Sequence, residues 1–110
     1  MVHLHGTHPL PGGGRVRLRL PHALDRAGLH ELLARLGLAA DELEVRRAMR
    51  CVPRRRVALV ATGLVDGRER LVGFGALEDG ATTLIGEEPV VGVLEEALWE
   101  HARPWSRRVA

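Results

Sequence analysis

Six arginines, Arg46, Arg47, Arg50, Arg54, Arg55 and Arg56, crowd into eleven consecutive residues of a 110-residue chain, and their first chemical use would be to contact phosphates of a nucleic acid or a nucleotide. No aromatic side chain is interleaved to stack on bases, and the second half of the chain is acidic, so a solvated or protein-docking face is the preferred reading. Glu87 and Glu88 invite comparison with a catalytic base. As neighbours on a strand they would point to opposite sides, which suits a polar strand end better. Cys51 follows Arg50 and precedes Arg54, which would favour its thiolate, but no His and Asp are spaced to make it a nucleophile and packing is the plainer account. A free amino terminus with His3, and His5 close by, could wrap Cu(II) or Ni(II) in a square of nitrogens. Removal of Met1 would destroy that geometry, and no metal is expected. Trp99 and Trp105 are either interface anchors or, for Trp99, a cap on the core. No residue is assigned as catalytic.

The elements that must position these groups follow from periodicity. Residues 1–14 combine three His, two Pro and four Gly without helical or strand period, and are expected to be a flexible leader. From Arg15 to Leu20 arginines alternate with Val16, Leu18 and Leu20, the pattern of a half-buried strand ended by Pro21. Leu29, Leu32, Leu33 and Leu36 fall on one helical face before the stop signal Gly37. Asp41 and Glu44 have capping-box spacing, and Val45, Ala48, Met49 and Val52 predict a second helix running to Pro53. Two strands, 57–65 and 70–77, flank an Asp66-Gly67 turn, and a third, 81–85, follows a turn at Glu78-Asp79-Gly80. Val91, Leu94, Leu98 and Ala102 predict a closing helix ended by Pro104, with residues 104–110 as an Arg-rich tail and 15–103 as the one domain.

Composition narrows the class. Apolar residues at 45% and charged residues at 27% describe a chain that folds, and aromatic residues at 3% describe a core of Leu, Val and Ala. One cysteine and no apolar run of membrane-spanning length point to a reducing cytoplasm. Residues 1–63 carry eleven Arg against five acids and residues 64–110 five Arg against nine, an asymmetry suited to self-complementary docking or to an acidic partner.

The order strand, two helices, three antiparallel strands, helix, with the stretches "VRLRLPHALDRAGLHELLARLG", "RRRVALVA", "LVGFGAL" and "VLEEALWEHA", resembles the N-terminal portion of the GNAT N-acetyltransferases from Arg15 to about Ala102. The resemblance implies an α/β domain of the α+β kind, here lacking the family's C-terminal strands, and an acetyl-CoA site in which an Arg/Gln-x-x-Gly-x-Gly/Ala loop at the start of the last helix cradles the diphosphate with backbone amides. In this chain Gly86 stands at the Arg/Gln position and Pro89 and Val91 at the two glycines. Pro89 has no N–H, Val91 is β-branched where close approach is needed, and Glu87 and Glu88 oppose phosphate. If any cofactor contact remained it would involve Gly86, Val90, Val91, Gly92 and Val93. The family often uses a Tyr general acid and this chain has no Tyr; His101 or a carboxylate is the only substitute on offer.

The expected function is therefore that of a non-catalytic GNAT-like accessory or interaction domain without cofactor, a homodimer or a small subunit of a larger assembly, with Thr82, Leu84, Trp99 and Trp105 as interface candidates. Two alternatives stand beside it. One is an acyl-CoA-dependent N-acyltransferase, using acetyl-CoA in a cleft completed by a second chain. The other is nucleic-acid binding through the arginines, the less favoured partner; no membrane partner is expected.

Overall fold

A computed structural model describes residues 6–39 and 41–109, with side chains described through residue 104. The chain forms an α+β domain in the order β1 (Gly6–Pro9), β2 (Arg15–Arg19), α1 (Asp25–Arg35), α2 (Glu42–Ala48), β3 (Arg56–Val65), β4 (Arg68–Glu78), β5 (Ala81–Gly86) and α3 (Glu88–Val109). The five strands make one antiparallel sheet in sequence order. Helices α1 and α2 cover one face and α3 the other.

Alternation decides which side chain meets which layer. Val16 and Leu18 of β2, with Val57, Leu59 and Ala61 of β3 and Leu77 of β4, pack under Val90, Leu94, Ala97, Leu98 and Ala102 of α3. The intervening Ala58, Val60, Phe74 and Ala76 pack against Leu29, Leu32 and Leu33 of α1 and Val45 of α2. Both hairpins close through two-residue turns in which Asp66 and Asp79 adopt φ of 52° and 50° ahead of glycine, the left-handed pair that matches strand twist. Between Ala61↔Gly73 and Thr62↔Leu71 the register shifts, leaving Val72 as an extra residue on β4.

Helix α3 lies close on β4 because two residues of that strand have no side chain. A Cβ at Gly73 would fall 2.5 Å from Val90 Cγ1 and 2.9 Å from Leu94 Cδ1, and one at Gly75 would fall 3.0 Å from Leu98 Cδ1. On the opposite face Arg19 and Asp25 tie β2 to α1. Arg19 donates to both carboxylate oxygens of Asp25, at 2.7 and 2.8 Å, and the His22 amide donates to the same group at 2.7 Å. The hydrogen bonds from Arg19, then that from His22, hold the Asp25 carboxyl below its usual range against the opposing effect of burial, and raise Arg19 in return.

The structure corrects the sequence reading at three places. Residues 6–9 are not a stretch apart from the fold: they pair with β2, with Gly6 opposite Leu18 and Pro9 opposite Arg15, held by backbone bonds that leave no apolar alternation to read. Leu10, packed against the core, anchors that hairpin. Helix α2 starts as expected, Asp41 accepting the Glu44 amide at 2.7 Å, but stops at Ala48, so Val52 forms an isolated bridge with Arg56 instead of a helical turn. Helix α3 runs through Pro104 into the expected tail. Pro104 has no N–H, so the Glu100 carbonyl one turn back is without its usual helical donor. Among the described residues no helix is long and apolar enough to cross a membrane.

Two stability predictions follow from these contacts. Gly73→Val should cost about 1–3 kcal/mol in urea unfolding, because the new side chain must displace Val90 and Leu94 from a packed interface. Asp25→Asn should cost about 1–3 kcal/mol near neutral pH, the loss of charge-assisted hydrogen bonds. Since the folded carboxyl titrates below its ordinary 3.8, its contribution is complete above that pH and is lost as pH falls through the folded value. The variant's acid unfolding limb should be correspondingly shallower there.

Candidate functional site

Two features meet where β5 ends and α3 begins. Gly86 closes β5 opposite Gly73, and one residue later the chain turns into α3. A Cβ on Gly86 would lie 3.0 Å from the Val72 carbonyl and 3.3 Å from Gly73 Cα, and its φ is 145°, so the position is reserved for glycine by crowding and by backbone. In the first turn Pro89 has no N–H, and the amides of Val90 and Val91 both donate to the Glu87 carbonyl at 3.0 Å. Val90 is buried over Gly73, and Val93 packs at the edge of the same core. Gly92 is exposed, with nothing near its missing side chain. Of the five residues that could have held a cofactor, then, two serve the core, and Pro89 offers no amide while Glu87 and Glu88 stand exposed beside it.

Beyond Gly86 the β3–β4 hairpin continues without cover from β5. A groove of about 660 Å³ opens there, lined by Leu10, Val16, Val65, Val72 and Val90 and, from α1 on the other face of the sheet, by Leu32 and Leu36. Arg15, Arg35, Leu64 and Glu87 stand at its rim. Arg35 donates to the Leu71 carbonyl at 2.6 Å, a group that lies past the last β4–β5 pair. Of these groove residues only Glu87 and Val90 were weighed as site residues from sequence. The readable signal was the length mismatch between the two strands of the second hairpin, which leaves part of β4 unmatched.

The free side of β5 is the second feature. Its turn makes Glu78↔Ala81 a hydrogen-bonded pair, so alternation along the ladder directs the amides and carbonyls of Thr82, Leu84 and Gly86 away from β4. Thr82 and Leu84 are half-buried, and Leu84 packs toward α3. Trp99 on α3 is 44% exposed. Val91, Glu95 and Trp99 form one i+4 row that starts beside Gly86. The Trp105 side chain lies outside the described residues, as do His3 and His5.

The arginine cluster divides. Arg56 is a structural residue: its guanidinium donates to the Ala48 carbonyl and, at 3.0 Å, to the Arg50 carbonyl, closing the C-terminal end of α2, and it pairs with Glu78 at 3.4 Å. Arg46 lies 3.7 Å from Glu42 and Arg55 3.9 Å from Asp79, both pairs well exposed. Arg47, Arg50 and Arg54 have no ion-pair partner among the described residues. This is an interrupted basic surface on the α2 side. Cys51 is exposed, and its sulfur accepts the Ala58 amide at 3.4 Å. Among the described residues no three His, Cys, Asp or Glu side chains are gathered as a metal set.

No protein-family model matches the chain, and no curated protein is significantly similar to it.

Calorimetric titration with acetyl-CoA is expected to give no saturable heat at micromolar concentrations. Restoring one amide and removing two charges, as in the triple variant Glu87→Gln, Glu88→Gln, Pro89→Gly, should move acetyl-CoA binding toward that range.

Proposed function

We propose that the chain is a non-catalytic GNAT-like domain of the cytoplasm that works by binding another protein chain, a second copy of itself, through strand addition at β5. The observation that carries this reading is the contrast between the two edges of the sheet. Edge strands that stay solvent-exposed are normally short, bulged, or interrupted by charge or proline. β1 fits that description, with four residues that include Pro9 and Gly6. β5 is six residues of regular pairing with β4 and contains neither charge nor proline. Thr82 and Leu84 offer the main-chain groups for pairing, and Trp99 supplies a large exposed side chain on the helix layered against β5.

The likeness to the GNAT acetyltransferases rests on the order of elements after β1 and on the glycine-spaced strand beneath the last helix. The altered first turn of α3 is the reason to propose binding without acyl transfer. A partner chain with the same acceptor edge would extend the sheet to ten strands, with α3 beside α3 and α2 on the other face.

Light scattering over a range of concentrations tests this reading. The wild-type chain should approach twice its monomer mass, while Thr82→Pro, which removes only an outward amide, should remain monomeric with an unchanged unfolding midpoint. Thr83→Pro removes an inward amide and should instead destabilise the fold by about 3 kcal/mol. A wild-type chain that is monomeric at every concentration and co-purifies with no other protein would refute the proposal.

A further inference from the structure

Between the β2–α1 connection and the end of α2 lies a hollow of about 350 Å³, at the small end of the range that ligands occupy. Arg26, Arg46 and Arg50 line it together with His22, and Pro21, Ala23 and Met49 give it an apolar side. Two of the guanidiniums converge on one atom: Arg26 Nη1 and Arg46 Nε stand 3.2 and 3.7 Å from the same Glu42 oxygen, Oε1. Arg26 is held a second time by its Nε, which donates to the Ala23 carbonyl at 3.2 Å. That leaves its remaining N–H groups to donate elsewhere. For Arg46 the 3.7 Å approach is too long for a hydrogen bond, and Arg50 has no ion-pair partner among the described residues. The backbone at Arg50 is nevertheless fixed, its amide donating to the Arg47 carbonyl at 3.2 Å and its carbonyl accepting from Arg56 at 3.0 Å.

We infer that this hollow binds a small organic phosphomonoester, its phosphate received by Arg26, Arg46 and Arg50 and its organic body lying against Pro21, Ala23 and Met49. Charge selects the head group. No carboxylate is among the described residues that line the hollow, and Glu42 beside it matches only one of the three guanidiniums. Two positive charges are left, and a phosphomonoester near neutral pH carries about 1.5 to 2 negative ones. The planar fork of arginine suits its oxygens. Nucleic acid fits less well, because the basic surface does not continue past the hollow. Arg47, beside Arg46, lines a different groove with Glu44 and Glu78, and Arg55 lies near Asp79, so a strand of phosphates would meet carboxylates there. None of the lining residues belongs to β5 or α3, and the inference stands or falls independently of the association proposed above.

Phenyl phosphate is the probe, followed by amide chemical shifts of the labelled full chain above the second phosphate pKa of about 6. Inorganic phosphate, benzenesulfonate and a short single-stranded oligonucleotide are the comparisons. Saturable shifts are expected at Ala23, Arg26, Arg46, Met49 and Arg50. Benzenesulfonate, of similar shape with one charge, should bind roughly tenfold more weakly, and inorganic phosphate, without the organic body, roughly fivefold more weakly. Arg46→Gln and Arg50→Gln alter exposed side chains, and each should weaken phenyl phosphate by about tenfold at an unchanged unfolding midpoint. Arg47→Gln removes the same charge from the same turn of α2 but lies outside the hollow, and should change binding by less than about twofold. Absence of saturable shifts at those residues, equal binding of benzenesulfonate or inorganic phosphate, or an equal loss in Arg47→Gln would overturn the inference. Tighter binding of the oligonucleotide, with shifts extending to Arg54 and Arg55, would also overturn it, by showing one continuous basic surface.

Discussion

Two missing side chains on the strand beneath α3 set the geometry of the whole α3 layer. With hydrogen in place of Cβ at Gly73 and Gly75, Val90, Leu94 and Leu98 descend onto β4, and the helix axis is fixed by contact with backbone instead of by the tips of larger side chains. A core with one Phe and no Tyr has little bulk with which to bridge a wider gap between layers, so close approach is what allows leucine, valine and alanine to fill it. The first turn of α3 is positioned by the same contact. Val90 points into the core above Gly73, which commits the start of the helix to packing.

The sheet's shape follows from where β5 stops. Its last residue pairs with Gly73, beside the extra residue Val72, and the rest of the longer hairpin extends without a neighbour on that side. One consequence is the groove, walled by the C-terminal part of α1 and the start of α3. The other is an exposed ladder edge along β5 itself. Arg35 meets part of the deficit by capping the Leu71 carbonyl, a long-range substitute for the strand that is not there. The two open features differ in chemistry, an uncharged hydrogen-bonding edge and an apolar trough with a charged rim.

Charge is distributed by layer. Helices α1 and α2 each carry as many acids as arginines, so the positive excess of their layer comes from Arg15, Arg17 and Arg19 of β2 and the arginines between α2 and β3, whereas α3 carries four glutamates against three arginines. Within the basic layer much of the charge is structural: Arg19 clasps Asp25 and Arg56 closes the end of α2. The six arginines close in sequence are not equivalent: Arg56 closes α2, Arg46 and Arg55 lie near surface carboxylates, and Arg47, Arg50 and Arg54 have no ion-pair partner among the described residues.

Periodicity and turn chemistry determined most of the secondary structure. Strict alternation in β2, the Asp-Gly turns, the leucine spacing of α1 and the Asp41 cap are local signals, because each depends on residues within a few positions of one another. The altered residues at the start of α3, Pro89 and Val91 among them, were equally legible, since the absence of an N–H or the presence of a branched Cβ is a property of the residue itself. Only the tertiary structure decided that residues 6–9 join the sheet, that α2 ends at Ala48, that Arg56 caps a helix, and that Arg35 caps the Leu71 carbonyl. These outcomes turn on backbone pairing and on contacts between residues tens of positions apart, such as Arg35 with Leu71, where the energy lies in geometry that no local pattern of side chains encodes.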